Sequence, residues 1–181
     1  MNRDKLYPNL NLEEEDWRRS MLELIRGLRE DTYDKINEPV SRFRATRGTV
    51  QSIPNIIWTK VQYNTEDFDN LGEYDHVTNF RFTAQKAGYY QVNASILTTN
   101  ISLTVDKYCM IAVYKDGNRF ISGFRWVAPL THSFYVHSVC NGMVYLTAGQ
   151  YLEIFCYQDS GAAINIHYDE TFNCFSVHRL S

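Results

Sequence analysis

The sequence predicts an all-β fold, a β-sandwich or jelly roll, preceded by one N-terminal α-helix. Hydrophobic residues recur with a helical period only before about residue 43, and with a period of two from there onward. About nine short strand-like runs then follow one another without an intervening helix. Aromatic residues make up 14% of the chain, with 13 Tyr and 10 Phe, a content typical of β-sheets and contact surfaces.

Composition and charge restrict the class of protein. With 181 residues, of which 44% are hydrophobic and 22% charged, the chain suits one globular domain with a short appendage. A net charge of −3 argues against nucleic-acid binding. No run approaches the roughly 20 apolar residues of a membrane helix, so we expect no membrane insertion. The N-terminus has no apolar segment typical of a signal peptide, so we expect synthesis without one.

Residues 11–37 are predicted to form the helix. Asn11 can cap its N-terminus, with Glu14 three residues later as the partner in a capping box. Asn37, followed by Pro39, is expected to end the helix.

Four apolar side chains of this helix have the spacing of a coiled-coil seam: Trp17, Met21, Leu24 and Leu28. A seam this short does not form a stable coiled coil alone. Two interpretations stay open: the helix packs on its own domain, or it bundles with copies of itself or docks into a larger assembly. We expect residues 1–44 to be a helical attachment and oligomerisation segment and residues 45–181 to be the β-domain.

Nine runs alternate in hydrophobicity and are predicted to be strands. They are residues 43–50, 56–61, 79–84, 89–98, 108–115, 119–126, 133–146, 151–158 and 172–180. Asp116-Gly117 is predicted to be a two-residue hairpin turn, because Gly accepts a positive φ without steric cost.

The run YLEIFCYQ, residues 151–158, has two apolar faces. Alternation places Leu152, Ile154 and Cys156 on one face, which requires a core. The opposite face carries Tyr151, Glu153, Phe155 and Tyr157. Three rings with a single carboxylate predict that something other than water covers this second face.

Cysteine and histidine positions indicate no catalytic or metal site. The four cysteines are scattered without a CxxC pair, at Cys109, Cys140, Cys156 and Cys174. We expect reduced core thiols, with two disulfides as the alternative for an extracellular protein. His137 and Cys140 are three apart on one strand and face opposite sides, so they form no dyad. We expect no cofactor; the acidic pairs Glu66/Asp67 and Asp169/Glu170 leave Ca²⁺ as an alternative to solvated turns.

Four sequence blocks in order carry a family resemblance. The first, FDNLGEYDHVTNFRFTAQKAGYYQVNASI, combines Phe-Asp, Gly-x-Tyr-Asp, Phe-Thr and Ala-Gly-Tyr-Tyr. It is followed by IAVYKDGNRF, MVYLTAGQYLEIF and FNCFSVHRL. Together they resemble the complement C1q and tumour necrosis factor superfamily over about residues 45–181, most closely its bacterial and phage versions. Gln150 and Val177 stand where the family usually has Asp and Gly.

The resemblance implies a ten-stranded C1q/TNF-like jelly roll that assembles as a homotrimer, with one sheet of each protomer facing the three-fold axis. In the family's register, six residues face the neighbouring protomers: Gln91, Asn93, Tyr135, His137, Val139 and Cys174. Strand 151–158 then belongs to the outer sheet, which makes Tyr151, Phe155 and Tyr157 a candidate ligand surface. The alternative is that residues 63–76 or the N-terminal segment cover these rings.

The residues and the resemblance together favour a non-enzymatic trimeric head displayed on a particle, such as a phage virion fibre, spike or decoration protein. Its partners would be a host-surface protein or glycan and, through residues 1–44, a larger virion or cell-surface assembly. The alternative is a secreted, extracellular ligand that clusters receptors or binds carbohydrate. Nothing in the sequence indicates an enzyme.

Overall fold

The computed structural model of the chain describes residues 14–37, 39–99 and 101–180. The chain divides into two compact units, Met1–Pro39 and Val40–Ser181.

The first unit contains one helix, α1, which spans Glu14–Asn37. Its end at Asn37 confirms the predicted boundary, while the predicted cap, Asn11, lies outside the described residues. In the last part of α1 the hydroxyl of Thr32 donates a hydrogen bond of 2.6 Å to the carbonyl of Leu28. No helix in the described ranges combines the length and the apolar content that a membrane span requires.

The second unit is built from β-strands. Its described residues form sixteen of them: β1 Arg42–Thr46, β2 Gln51–Ile53, β3 Thr59–Lys60, β4 Thr65–Asp69, β5 Tyr74–Asp75, β6 Arg81–Thr83, β7 Gly88–Leu97, β8 Ile101–Leu103, β9 Tyr108–Lys115, β10 Asn118–Ser122, β11 Trp126–Val127, β12 His132–Phe134, β13 His137–Leu146, β14 Tyr151–Gln158, β15 Ile164–Ile166 and β16 Cys174–Arg179. Five of these, β2, β4, β5, β8 and β15, lie outside the runs that the sequence predicted.

Two large antiparallel sheets make up the sandwich. Sheet 1 has the strand order β13-β7-β16-β1-β4, and sheet 2 has the order β10-β9-β14-β6-β5. In sheet 2, β11 also pairs with β9 and β3 with β14, while β12-β8 and β15-β2 form two small separate ladders. The last strand, β16, therefore lies in the middle of sheet 1, between β7 and β1.

The core lies between the facing sides of the two sheets. On β7 of sheet 1, Tyr90 and Val92 are buried, and on β14 of sheet 2, Leu152, Ile154 and Cys156 are buried. Alternation with a period of two produces both patterns, so the faces predicted to be buried are the faces that form the core.

An aromatic cluster joins the sheets near the start of the domain. The ring of Phe43 on β1 stacks on Tyr74 of β5 with centroids 4.4 Å apart, and on Phe82 of β6 at 5.4 Å. Phe175 of β16 meets Phe43 edge to face at 4.9 Å. All four rings are buried, and emptying such a site typically costs about 3–5 kcal/mol.

The hairpin turn at Asp116-Gly117 is confirmed. Asp116 and Gly117 have φ of 49° and 77°, and they connect β9 to β10, as a type I′ turn requires. The Asp116 carboxylate accepts the Tyr151 backbone N–H at 3.0 Å and the Gln150 side-chain amide at 2.8 Å. The Gln150 side chain thus links this turn to the start of β14. The C1q and tumour necrosis factor superfamily usually has Asp at this position.

Several predicted strands are wrong in extent. The run 79–84 retains only β6, because Asn79 and Phe80 lie in a turn in which Phe80 has φ of 49°. The run 56–61 retains only β3, and Ile56 has φ of 60°. The run 43–50 ends with β1 at Thr46.

Runs 119–126 and 133–146 are each divided between two strands. The first break lies at Gly123, whose N–H donates to Ile111 of sheet 2 at 2.9 Å, while the next N–H, of Phe124, donates to Val139 of sheet 1 at 2.9 Å. The chain thus bridges both sheets here. A Cβ on Gly123 would lie 2.5 Å from the Val139 carbonyl oxygen, so only glycine fits this close approach.

Asp75 organises the turn between β5 and β6. Its carboxylate accepts the backbone N–H groups of Val77, Thr78 and Asn79 at 3.0, 2.8 and 3.1 Å. The side-chain amide of Asn79 adds a fourth hydrogen bond at 2.6 Å. These hydrogen bonds, that of Thr78 foremost, lower the pKa of the Asp75 carboxyl from its usual 3.8 to about 2.

We expect Asp75→Asn to lower the free energy of unfolding by about 1 kcal/mol near neutral pH, a modest value because the carboxylate is exposed. Since folding lowers this pKa, the contribution of the carboxylate is complete above about pH 4 and is lost as the pH falls towards about 2. Denaturant unfolding of both proteins at a series of pH values checks this. A stability difference that stays constant down to about pH 2.5 would contradict it.

Candidate functional site

The outward face of sheet 1 presents its side chains in rows across neighbouring strands. Three of these rows are Val139–Ser95–Cys174, Asn141–Asn93–Ser176 and Met143–Gln91–His178. The middle row is polar throughout, and both flanking rows begin with an apolar side chain of β13. The face is therefore mixed, with apolar residues concentrated on the edge strand β13.

The structure places five of the six predicted interface residues on strands of this face, and the sixth, Tyr135, lies two residues before β13. Asn93, Tyr135, His137 and Val139 are exposed, whereas Gln91 and Cys174 are partly buried. The Cys174 thiol lies 3.3 Å from the Ser95 hydroxyl on the neighbouring strand. The ring of His137 meets Phe172 edge to face at 5.6 Å. Their role between protomers stays a prediction.

Three further exposed side chains extend the apolar part of this face beyond the predicted set. Tyr89 and Tyr145 lie directly opposite each other on β7 and β13, and their rings meet edge to face at 5.2 Å. Met143, on the same face of β13, is 61% exposed. Continuing the alternation from Val139 along the strand would have identified Met143 and Tyr145. We call Tyr89, Tyr135, Val139, Met143 and Tyr145 the apolar band.

The predicted helix seam is also exposed. Trp17, Met21, Leu24 and Leu28 present large apolar side chains on α1, and Leu22 and Ile25 add to them. The side chains are placed as a seam requires, since steps of four and three residues return to one face of a helix.

The outward face of sheet 2 is covered by its own aromatic side chains. Tyr151, Phe155 and Tyr157 of β14 are half-buried and share this face. Beside them on β9, Met110 and Ala112 are only 8% and 0% exposed, although they point away from the core between the sheets. The rings therefore bury apolar area on a face that would otherwise be wet.

Five rings on this face contact one another in series. Tyr108 stacks on Tyr157 at 5.3 Å, and Trp58 packs on Tyr157 at 5.3 Å. Trp58 also lies 5.8 Å from Tyr114, which in turn packs on Phe155 at 4.2 Å. Together with Tyr151 we call these rings the aromatic floor. Burial raises the pKa of the Tyr114 phenol, so this group is neutral at physiological pH.

Four cations lie over the aromatic floor. Arg125 is 3.8 Å from the Tyr108 ring centre and Arg81 is 4.5 Å from that of Tyr151. Arg119 lies 5.4 Å from the ring centre of Trp58, and Lys60 lies 5.9 Å from that of Phe155. Such contacts are electrostatic attractions between a cation and the negative face of a ring.

Sequence reasoning identified only the β14 members of this site. Residues 63–76, expected as a possible cover, instead send Tyr63 and Tyr74 into the core. The ring that lies against Tyr157 belongs to Trp58, which precedes β3. Tyr108 and Tyr114 alternate with buried residues in β9, a visible signal, but only the pairing of β9 with β14 places them beside Phe155 and Tyr157.

The acidic pairs considered for Ca²⁺ have partners within the protein. Asp67 pairs with Arg44, and Glu66 lies 3.2 Å from His76 Nδ1. Asp169 accepts hydrogen bonds from the hydroxyl and the backbone N–H of Thr171, which lower the pKa of its carboxyl. In the described ranges, no three His, Cys, Asp or Glu side chains come together as metal ligands.

All four cysteines are free thiols, and Cys109, Cys140 and Cys156 are buried. Burial raises the pKa of the Cys140 thiol, and a hydrogen bond with Cys109, together with burial, raises that of Cys156. Both groups are therefore protonated and shielded, which disfavours a role as nucleophile.

Solved structures share this fold at low sequence identity. Murine APRIL at pH 8.5 has a TM-score of 0.55 and 13% identity, over 78% of this chain and 100% of that one. Eiger TNF from S. frugiperda has a TM-score of 0.53 and 8% identity, over 78% and 92%. The globular domain of zebrafish complement 1qA protein has a TM-score of 0.53 and 12% identity, over 78% and 98%. No family model and no curated protein matches the sequence. The likeness confirms the predicted all-β jelly roll of the C1q and TNF type.

Phe155→Ala is expected to lower the free energy of unfolding by about 2 kcal/mol, because it removes a half-buried ring and uncovers Ala112. Phe120→Ala is the matched control: this ring is exposed on β10, so a change within about 0.5 kcal/mol is expected. Denaturant unfolding of both variants gives the comparison. Equal effects would show that the aromatic floor adds nothing to stability.

Proposed function

We propose that this chain is a non-enzymatic trimeric head in which sheet 1 forms the contacts between protomers. The observation that carries the proposal is the apolar band on an otherwise completed domain. Val139 is 39% exposed and Met143 is 61% exposed on the outward face of sheet 1, and Tyr135, two residues before β13, is also 61% exposed. Large exposed apolar side chains gathered on one face in this way mark an association site in soluble proteins.

A closed three-fold arrangement suits the distribution of side chains on this face. Around a symmetry axis the same patch meets a different part of each neighbour, so the face has to offer both apolar area and hydrogen-bonding groups. The apolar band supplies the apolar area, and the polar row Asn141–Asn93–Ser176 supplies the hydrogen-bonding groups. The C1q/TNF resemblance of the sequence and the likeness to APRIL, Eiger TNF and complement 1qA support a trimer in preference to other closed assemblies.

The N-terminal unit is proposed to attach the head to a larger particle. Its seam of Trp17, Met21, Leu24 and Leu28 presents apolar side chains on a helix too short to form a stable coiled coil alone. Three such helices gathered by the heads, or one helix docked in an assembly, would bury the seam. We favour a phage virion fibre, spike or decoration protein, because the blocks of the head resemble the microbial versions of the family.

The second candidate is a secreted ligand that clusters receptors. The likeness to murine APRIL and Eiger TNF favours it. The genes that neighbour this one discriminate the two: capsid and tail genes support the virion protein, and their absence, together with a leader encoded upstream, supports the secreted ligand.

The trimer is tested by Val139→Asp in the full chain. We expect the parent protein to have three times the 21.2 kDa chain mass by light scattering, and the variant to be monomeric. An uncompensated charge buried in each protomer typically costs about 3–5 kcal/mol. Val105→Asp, at an exposed valine outside the strands, is the control and should leave the trimer intact. A monomeric parent, or a trimeric Val139→Asp variant, would contradict the proposed interface.

The attachment role is tested by removing residues 1–39, which retains β1 and the whole β-unit. We expect a folded, soluble trimer, measured by circular dichroism and light scattering, that is missing from purified particles when they are probed with an antibody to the head. The full-length variant Leu24→Asp is the matched test of the seam and should give the same absence. Unfolding or aggregation of the truncated protein would instead show that the helix belongs to the core of the head.

A further inference from the structure

The outward face of sheet 2 combines an aromatic surface with cations at both of its edges. In the strand order, Arg119 on β10 and Arg125 just before β11 lie on the β9 side of β14. Arg81 on β6 and Lys60 on β3 lie on the opposite side of β14. The aromatic floor between them belongs mainly to β9 and β14.

The charge on this face is only partly neutralised within the protein, where Asp75 of β5 lies opposite Arg81 in the ladder. Glu153 is the carboxylate at its centre, and it is 6% exposed and paired with Lys60 at 2.5 Å. Among the described residues, no carboxylate forms an ion pair with Arg81, Arg119 or Arg125. Arg119 and Arg125, on the β9 side of the floor, have no carboxylate opposite them in the described ladders, so this side of the face is locally positive.

The backbone beside the floor is strained where it is exposed. Ile56 has φ of 60° and is 62% exposed, and it precedes Trp58 by two residues. A β-branched residue in the left-handed region is a genuine outlier, and such strain is found preferentially where a segment serves binding. The Ile56 N–H donates to Gln158 O at 2.8 Å, which holds the segment against the end of β14.

We propose that this face binds an acidic polysaccharide. Ring faces and edges are suited to the apolar faces of sugar rings, and guanidinium groups bind carboxylates through paired hydrogen bonds. Rings with cations on both sides of them fit a polymer whose sugar units carry carboxylates. Stacking on the rings also holds the guanidinium groups in place before binding, which lowers the entropic cost of ordering them. The inference rests on the proposed function only in treating the head as a binding module.

The proposal is tested with the full-length protein and five immobilised polymers. Polygalacturonate, alginate and polysialic acid carry both rings and carboxylates, dextran carries rings alone, and poly-glutamate carries carboxylates alone. We expect binding to at least one of the three acidic polysaccharides that weakens between about 50 mM and about 300 mM salt. Binding to dextran and to poly-glutamate should be at least about tenfold weaker.

Variants assign the binding to this face. Arg119→Gln and Arg125→Gln are each expected to weaken it by about tenfold, whereas Arg42→Gln removes the same charge from sheet 1 and should leave it unchanged. Trp58→Leu tests whether the aromatic floor contributes to binding, and a melting curve shows whether this variant is folded. Both arginine side chains are exposed, so their variants carry the test even if Trp58→Leu does not fold.

Three results would overturn the inference: no binding to any of the three acidic polysaccharides, equal binding to poly-glutamate, or binding that Arg119→Gln and Arg125→Gln leave unchanged. Equal binding to poly-glutamate would point to an acidic protein segment as the partner instead. Light scattering on the same samples separates this inference from the proposed function. A trimer that binds no acidic polysaccharide contradicts the inference alone, and a monomer that binds one contradicts the proposed trimer alone.

Discussion

The packing of two antiparallel sheets against each other is the constraint on which the rest of the structure depends. Each strand alternates with a period of two, so burying one side of a strand turns its other residues outward. The cluster around Phe43 shows how closely the buried sides pack, because rings from β1, β16, β5 and β6 have centroids only 4.4 to 5.8 Å apart. The polarity of each outward face is then determined only by the residues that alternate with the core residues along each strand.

The two outward faces use their alternate residues differently. Sheet 2 buries Met110 and Ala112 beneath its own rings and places arginines over them, so its apolar area is largely covered within one chain. On sheet 1, by contrast, Met143 and Val139 stay exposed in the part of the chain that the structure describes. The outward face of sheet 2 can thus be solvated in a single protomer, whereas that of sheet 1 suits the contacts that we propose between protomers.

Features set by local chemistry were predictable from the sequence. The end of α1 at Asn37, the turn at Asp116-Gly117 and the buried alternation of β7 follow from neighbouring residues. Features set by distant partners were not. Trp58 reaches Tyr157 only because β3 pairs with β14, and Phe80 adopts a positive φ in a turn whose N–H groups bind Asp75. Five of the six predicted positions share a face of sheet 1 because strand alternation is kept even where the predicted strand ends were wrong; the sixth, Tyr135, lies before β13.

The central position of β16 has a consequence for how the chain folds during synthesis. Phe43 of β1 is in register with Val177, and Val92 of β7 pairs with the same residue, so sheet 1 lacks its middle strand until β16 is made. The pairs β1–β4 and β7–β13 can form before β16, but they can join into one sheet only after it, and pairings this distant in sequence form slowly. During that interval β1 and β7 each have one unpaired edge, and unpaired strand edges of a folding chain are prone to aggregation.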